Sequence, residues 1–258
     1  MHGTQADSLA TEAVVREFRV LMLVTLAAGT LAGLAWFGVQ YVAVVPLIET
    51  AETYEAAAQG ATAGGSHEHD EEGWRPANGW QRTSFTALAT VLTGIGFAAI
   101  LFAWVTLTGR PIDGRRGVLW GLAGFTCFSL APALGLPPQP PGVAAADLSG
   151  RQLWWVASVI CAAIGLSLIA GRSRSWLHRI GGVACMSLPH VVGAPVASGE
   201  NVVPDHLIRE FTIASLASTG VFWLALGMLG GFMYNRCDEG FSSRDAKRSA
   251  VRQCDMSL

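Results

Sequence analysis

The stretch Ile180–Ser198, IGGVACMSLPHVVGAPVAS, determines how the rest of the chain is interpreted. It is weakly apolar and of membrane length, and it carries Pro189 followed by His190, the one histidine inside such a segment. An ionisable group in hydrocarbon is costly, so it is expected to face a helix bundle or a wet cavity and to have a function. We therefore predict a bundle of membrane helices built around this imidazole.

The composition indicates an integral membrane protein. Hydrophobic residues make up 51% of the 258 residues and charged residues only 14%, with a mean hydropathy of +0.40. A soluble domain contains about 25% charged residues. So much apolar surface with so little charge excludes an ordinary soluble domain.

Six segments are close to the ~20 residues that cross ~30 Å of hydrocarbon. They lie at about 18–45, 84–108, 118–136, 153–170, 180–198 and 211–234. The sequence thus predicts an all-α, polytopic membrane domain over residues 18–235, with an acidic outer loop at 46–83. A polar N-terminal arm at 1–17 and a basic tail at 236–258 flank this domain.

The distribution of basic residues supports this count of six. Basic residues mark cytoplasmic loops, whereas acidic residues contribute little to orientation. Arginines follow the second, fourth and sixth segments, and the connections after the first, third and fifth are acidic or neutral. Only six spans with both termini in the cytoplasm fit this alternation. We therefore expect a multi-pass membrane protein.

Two further patterns predict packing rather than chemistry. Glycines recur at four-residue spacing, which lets helix backbones approach closely; the pairs are Gly29 and Gly33, Gly117 and Gly121, and Gly227 and Gly231. Trp154 and Trp155 follow Arg151, as in an aromatic belt at a membrane interface.

The outer loop contains six consecutive side chains with metal-binding potential. They are His67, Glu68, His69, Asp70, Glu71 and Glu72. Imidazole nitrogen and carboxylate oxygen suit divalent first-row metals, and the four carboxylates raise the local cation concentration. The alternative is a solvated acidic loop. The spacing differs from the His-Glu-x-x-His arrangement of zinc proteases.

His190 is the second candidate ligand. Placed about 16 Å from the cytoplasmic end of its helix, it is expected near mid-membrane or slightly outward. Pro189 removes a backbone donor and frees the carbonyl of Cys185. His190 is either a ligand on a translocation path or a structural histidine bonded to a neighbouring helix.

A third candidate lies at the outer end of the first span. Glu49, Glu52 and Glu55 follow Pro46 at i, i+3 spacing, so a continuing helix would align their carboxylates. They form either a cation vestibule or an ordinary solvated helix end.

Several motifs of other protein classes are missing from the sequence. Lys247 is the only lysine and cannot complete a P-loop, and no Gly-x-Ser-x-Gly elbow occurs. We expect no enzymatic activity, no catalytic residue, no permanently bound cofactor and no nucleic-acid partner; membrane lipid is the expected surrounding.

The chain resembles the CbtA-type cobalt transporter subunits of bacteria over about residues 18 to 235. The resemblance is carried by an ordered set of runs: 44–48 with Glu52 and Glu55, 74–79 (WRPANG), 92–97 (LTGIGF), 115–124 (RRGVLWGLAG), 130–138 (LAPALGLPP), 151–155 (RQLWW), 189–195 (PHVVGAP), and 214–217 with Phe222 and Trp223.

This resemblance implies a multi-pass protein of the bacterial inner membrane that mediates cobalt uptake for cobalamin synthesis, together with a small one-span, histidine-containing partner, CbtB. Members often have a longer histidine-rich run in the first outer loop, where this chain has only His67 and His69. The family motifs single out Trp74, Pro76, Asn78, Gly79 and Pro189. The competing hypothesis is a scaffold or metal sensor that anchors the partner without moving metal itself.

Overall fold

The computed structural model describes residues 2–62, 76–77, 79–109, 112–171 and 175–255. This part of the chain is helical and contains no strand. The helices are α1 (His2–Ala43), α2 (Val45–Thr62), α3 (Trp80–Thr108), α4 (Gly114–Phe125), α5 (Ala131–Ala133), α6 (Leu148–Ala170), α7 (Trp176–Val192) and α8 (Asp205–Asp255). A π-helical turn, Thr126–Leu130, joins α4 to α5.

Four helices in the described part of the chain are long and apolar enough to cross a membrane. They are Val14–Ala43, Trp80–Thr108, Leu148–Ala170 and Asp205–Cys237. They correspond to the predicted first, second, fourth and sixth spans. The all-helical membrane class is therefore confirmed, whereas six spans and the cytoplasmic termini stay predictions.

The other two predicted spans are irregular. Instead of one helix over 118–136, the chain forms α4, the π-helical turn and α5, which ends at Ala133. Pro132 cannot donate a backbone hydrogen bond, and at the residue just before it the Ala131 amide bonds to the Thr126 carbonyl in the i to i+5 pattern of a π-helix.

The predicted fifth span, 180–198, stays a prediction as a membrane crossing, and the helix in this region, α7, runs from Trp176 to Val192. Gly193 adopts φ +91°, a conformation that favours glycine, and its amide bonds to the Pro189 carbonyl to end the helix. Residues 193–198 are not helical. Pro189 is accommodated within the last turn of α7.

Helices also reach into the segments predicted to flank the spans. α1 begins at His2 within the N-terminal arm, and α8 continues to Asp255 within the basic tail. The acidic outer loop contains α2, which is separated from α1 by a turn at Val44. Pro46 explains this break, since its ring is incompatible with continuing the α1 hydrogen-bond ladder.

The helices pack as two compact units. The first comprises residues 1–35, 87–121 and 224–258. Within it, α1 crosses α3 so closely that a Cβ on Gly94 would lie 2.5 Å from the Gly29 carbonyl oxygen. The crossing of α4 and α8 is tighter, since a Cβ on Gly117 would lie 2.1 Å from the Gly227 carbonyl oxygen. The packing role predicted for these glycines is confirmed.

The second unit comprises residues 36–86 and 122–223. A chain of aromatic rings runs through it. Phe222 lies 4.9 Å from Trp36 and 5.3 Å from Trp223, and Phe128 stacks on Trp223 at 5.5 Å between ring centroids. Phe222 and Trp223 are almost fully buried, so these rings form the interior of the unit.

In the same unit, α6 and α7 pack as an antiparallel pair. Trp154 contacts Pro189 near one end of the pair, and Gly165 meets Gly182 towards the other, where a Cβ on Gly182 would lie 2.6 Å from the Gly165 carbonyl oxygen. Between them, the thiols of Cys161 and Cys185 are in hydrogen-bonding contact. These three contacts define how the two helices are aligned along their length.

Gly117→Ala should destabilise the protein by roughly 1–3 kcal/mol, because the added methyl group collides with backbone rather than with a movable side chain. Thermal unfolding in detergent measures this effect. Gly96→Ala is the matched control: it lies in α3 with nothing within 4 Å of its added Cβ, so it should be neutral or stabilising by up to about 1 kcal/mol. Equal melting temperatures for the two variants would contradict the close α4–α8 crossing.

Mild oxidation with copper phenanthroline should link Cys161 to Cys185, because their thiols already touch across the α6–α7 pair. Mass spectrometry of the digested protein should show the linked peptide, and either serine variant should abolish it. Cys127 is buried against Ala131 and Ala162 and should stay unlinked. A link from Cys161 to any other cysteine would refute the register.

Candidate functional site

The acidic residues that follow Pro46 lie on α2, which positions them at one end of the second unit. Glu49, Glu52 and Glu55 occupy i, i+3 and i+6 of this helix, so the predicted helical spacing is correct. The helix is held in place because Ala51 is buried against Val203 and Leu207. The carboxylates are left exposed or half-buried.

Glu52 forms an ion pair with Arg82 at the beginning of α3. The two guanidinium nitrogens of Arg82 donate to the two carboxylate oxygens of Glu52 at 2.6 and 3.1 Å. This is the fork-to-fork geometry that gives arginine–carboxylate pairs their specificity. The side chains are 36% and 41% exposed, so cations and water can reach them.

The first turn of α3 orients Arg82. Gly79 adopts φ +90°, which only glycine enters at little cost. The Gln81 side chain accepts a hydrogen bond from the Ala77 amide, and the Arg82 amide bonds to the Ala77 carbonyl. The motif position Gly79 therefore has a structural reason: it turns the chain into α3 so that Arg82 meets Glu52.

The ion pair adds a cation to the predicted vestibule, whose role stays a prediction. Glu52 is paired with Arg82, whereas Glu49 and Glu55 have no ion-pair partner among the described residues. Sequence reasoning missed Arg82. The signal that could have revealed it is an isolated arginine at the outer end of the second span, where the charge rule predicts few basic residues.

The acidic metal-capture loop lies outside the described residues. This applies to His67, Glu68, His69, Asp70, Glu71 and Glu72, and equally to the motif residues Trp74 and Asn78. Their proposed roles stay predictions. Pro76 and Gly79 are described, and they lie immediately before α3.

His190 lies in the last turn of α7. It is fourteen residues from Trp176, which corresponds to about 21 Å of helix, compared with the expected distance of about 16 Å from the beginning of the helix. Its expected depth near mid-membrane stays a prediction, and Gly193 ends the helix three residues after it. Pro189 and His190 are therefore at a helix end, where backbone and side-chain polar groups become available together.

Trp154 determines the surroundings of His190. Its indole Nε1 donates to the Pro189 carbonyl at 3.2 Å, and its ring meets the His190 ring edge-on at 5.6 Å between centroids. Trp154 itself is only 8% exposed and packs on Gly135. The prediction that Trp154 belongs to an aromatic belt facing the membrane interface is therefore wrong, because its indole is buried in the contact between α6 and α7.

The His190 ring is half-buried, which leaves part of it accessible. No hydrogen bond or ion pair to the described residues engages its nitrogens. A neutral imidazole can donate one lone pair to a cation. Among the described residues, no three histidine, cysteine, aspartate or glutamate side chains lie close enough together to hold a metal ion. Within this part of the chain His190 therefore offers one donor atom and not a complete metal site.

Comparison with known proteins gives one informative result. Neither curated proteins nor solved structures gave a match. The family model described as "Probable cobalt transporter subunit (CbtA)" matches residues 18–235, which is most of the chain and includes every predicted span. The chain therefore belongs to the CbtA family of probable cobalt transporter subunits.

Proposed function

We propose that this chain is the multi-pass subunit of an inner-membrane system that moves Co(II) into the cell for cobalamin synthesis. The observation that carries the proposal is the CbtA match across residues 18–235, together with four helices long enough to span a membrane. The proposed activity is transport and not catalysis, with cobalt as cargo and no resident cofactor.

Capture of the cation is assigned to the acidic end of the second unit. Glu49 and Glu55 on α2 carry carboxylates that attract a divalent ion electrostatically. The loop residues His67 to Glu72 would add imidazole nitrogen and further oxygen ligands. The positive charge of Arg82 repels cations and its ion pair neutralises the carboxylate of Glu52. Arg82 therefore limits how strongly cations accumulate at these carboxylates.

His190 is assigned as a nitrogen ligand farther along the path. Imidazole binds first-row divalent metals, and the ring's partial exposure gives an ion access to it. A single protein donor cannot complete a Co(II) coordination sphere, so water or another chain must supply the rest.

That requirement agrees with the word "subunit" in the family description. We infer that the partner is a small, one-span protein of the CbtB type. Ligand affinity alone would favour nickel or copper over cobalt, so selectivity would be set by the geometry of the assembled site.

His190→Ala should reduce radiolabelled cobalt uptake by about tenfold or more in cells expressing equal amounts of protein. Removing even a residue that only hydrogen-bonds to a metal ligand typically lowers metal affinity or activity by about 10–100-fold. His206→Ala is the matched control, because His206 is an exposed histidine of α8 in the same unit. Unchanged uptake in His190→Ala would remove this residue from the path.

Arg82→Gln should lower the half-saturating cobalt concentration, and Glu52→Gln should raise it, each by about fivefold at low salt. One unit charge acting on a divalent ion from about 8 Å in water is worth about 1 kcal/mol. Both effects should shrink as salt screens them. Uptake is measured against cobalt concentration at two ionic strengths.

Arg115→Gln, an exposed arginine of α4 in the first unit, serves as the control and should change little. Shifts of the same sign for Arg82→Gln and Glu52→Gln would contradict an electrostatic role for this pair, because the two substitutions change the local charge in opposite directions.

The competing function is a scaffold or sensor that anchors a permease without moving metal. The two are separated by reconstituting this chain, the partner, and both together into vesicles and following cobalt entry with an internal metal-sensitive dye. Transport that requires this chain supports the proposal, and flux with the partner alone at the full rate would support the scaffold.

A further inference from the structure

A groove opens in the second unit beside the π-helical turn, with a volume of about 760 Å³. Its walls are residues 128–139, the first turns of α6, and α8 near residues 216–219. It is separate from the candidate metal residues, since neither His190 nor the carboxylates of α2 line it. The volume is in the range of pockets that hold organic ligands.

The helix irregularities explain why the groove exists. The π-helical turn widens the chain at 126–130, and α5 ends at Ala133 before the turn to Pro137 and Pro138. This run therefore stops, whereas α6 and α8 continue. The space that a regular helix over 118–136 would fill is left open between them.

The groove contains one charge. Among its lining residues, all of which lie in the described part of the chain, Arg151 is the only one that is ionisable. Arg151 is half-buried and forms no ion pair with the described residues. Asp147 caps α6 and forms no ion pair with Arg151 among the described residues; its carboxylate accepts hydrogen bonds from the Ser149 hydroxyl and the Gly150 amide, which lower the pKa of Asp147.

Arg151 lies in the first turn of α6, where the partial positive charge of a helix N-terminus disfavours a basic residue. The Asp147 carboxylate caps this N-terminus, so the Arg151 guanidinium itself is the group that an anion in the groove would engage. Gln152 lies beside it and brings a side-chain amide to the lining. A half-buried arginine in this setting is best stabilised by an anionic ligand with two acceptor oxygens, as in a phosphate.

The rest of the lining is suited to a hydrocarbon chain. Phe128, Leu136, Trp155 and Leu216 contribute apolar surface. Arg151 and Trp155 lie at one end of the candidate span Leu148–Ala170, the level at which tryptophan and phospholipid headgroups meet. A free phosphate ion would make no favourable contact with these apolar walls.

We propose that this groove binds an anionic phospholipid, with the headgroup phosphate on Arg151 and an acyl chain along Phe128, Trp155 and Leu216. Pockets between membrane helices that present a basic residue beside apolar walls are typical of such headgroup sites. The lipid fills the space left by α5 and contacts the π-helical turn, α6 and α8 at once.

Native mass spectrometry of the detergent-purified chain tests this by titration with phosphatidylglycerol, phosphatidylcholine or inorganic phosphate. Phosphatidylglycerol should bind at least about tenfold more tightly than phosphatidylcholine. Both lipids carry the headgroup phosphate, but the choline cation of phosphatidylcholine is repelled by Arg151, and a unit charge a few ångströms away at a protein surface is enough for this difference. Arg151→Gln should remove this preference, and inorganic phosphate in large excess should not displace the lipid.

Arg209→Gln is the matched control: it removes an exposed arginine of α8 outside the groove and should leave lipid binding unchanged. Equal binding of the two lipids by the unaltered chain would overturn the proposal, whatever the stability of the variants. Displacement of phosphatidylglycerol by phosphate would assign the site to a free anion, and retention of the preference by Arg151→Gln would remove Arg151 from it.

Discussion

Direct contact between helix backbones at glycine is the interaction on which the rest of this structure depends. Lipid tails are as apolar as leucine, so membrane helices gain little from burying apolar side chains against each other and associate through close packing. Gly117 and Gly227 bring α4 and α8 together, and Gly29 and Gly94 do the same for α1 and α3. At these positions a single methyl group would meet a carbonyl oxygen.

Glycine and proline also make two helices irregular, α7 and the run from α4 to α5. The candidate sites lie at these irregularities. Gly193 ends α7 just after His190, so the imidazole stands at a helix end beside Trp154. Pro132 accompanies a π-helical turn, and the early end of α5 leaves the groove that contains Arg151. In both places the regular hydrogen-bond ladder stops, which exposes polar groups that a continuous helix would satisfy internally.

The charged side chains of the second unit also lie near the ends of helices. Arg82 lies in the first turn of α3 and Glu52 about two turns into α2, and the two helices are held so that the guanidinium donates two hydrogen bonds to the carboxylate. Arg151 occupies the equivalent place in α6. The hydrophobic middles of the helices provide the scaffold, and the ionisable chemistry of the second unit is concentrated where those helices begin or end.

Composition and segment length were enough to predict an all-helical membrane protein, four helices long and apolar enough to cross a membrane, and the packing role of its spaced glycines, because these properties depend on local hydropathy and on the absence of a side chain. The helical spacing of Glu49, Glu52 and Glu55 was also predictable, since it depends on one periodicity. Only the tertiary structure decided that Arg82 engages Glu52, that Trp154 is buried against His190, and where α7 ends. These outcomes depend on contacts between residues distant in sequence and on the backbone angle of a single glycine, neither of which hydropathy encodes.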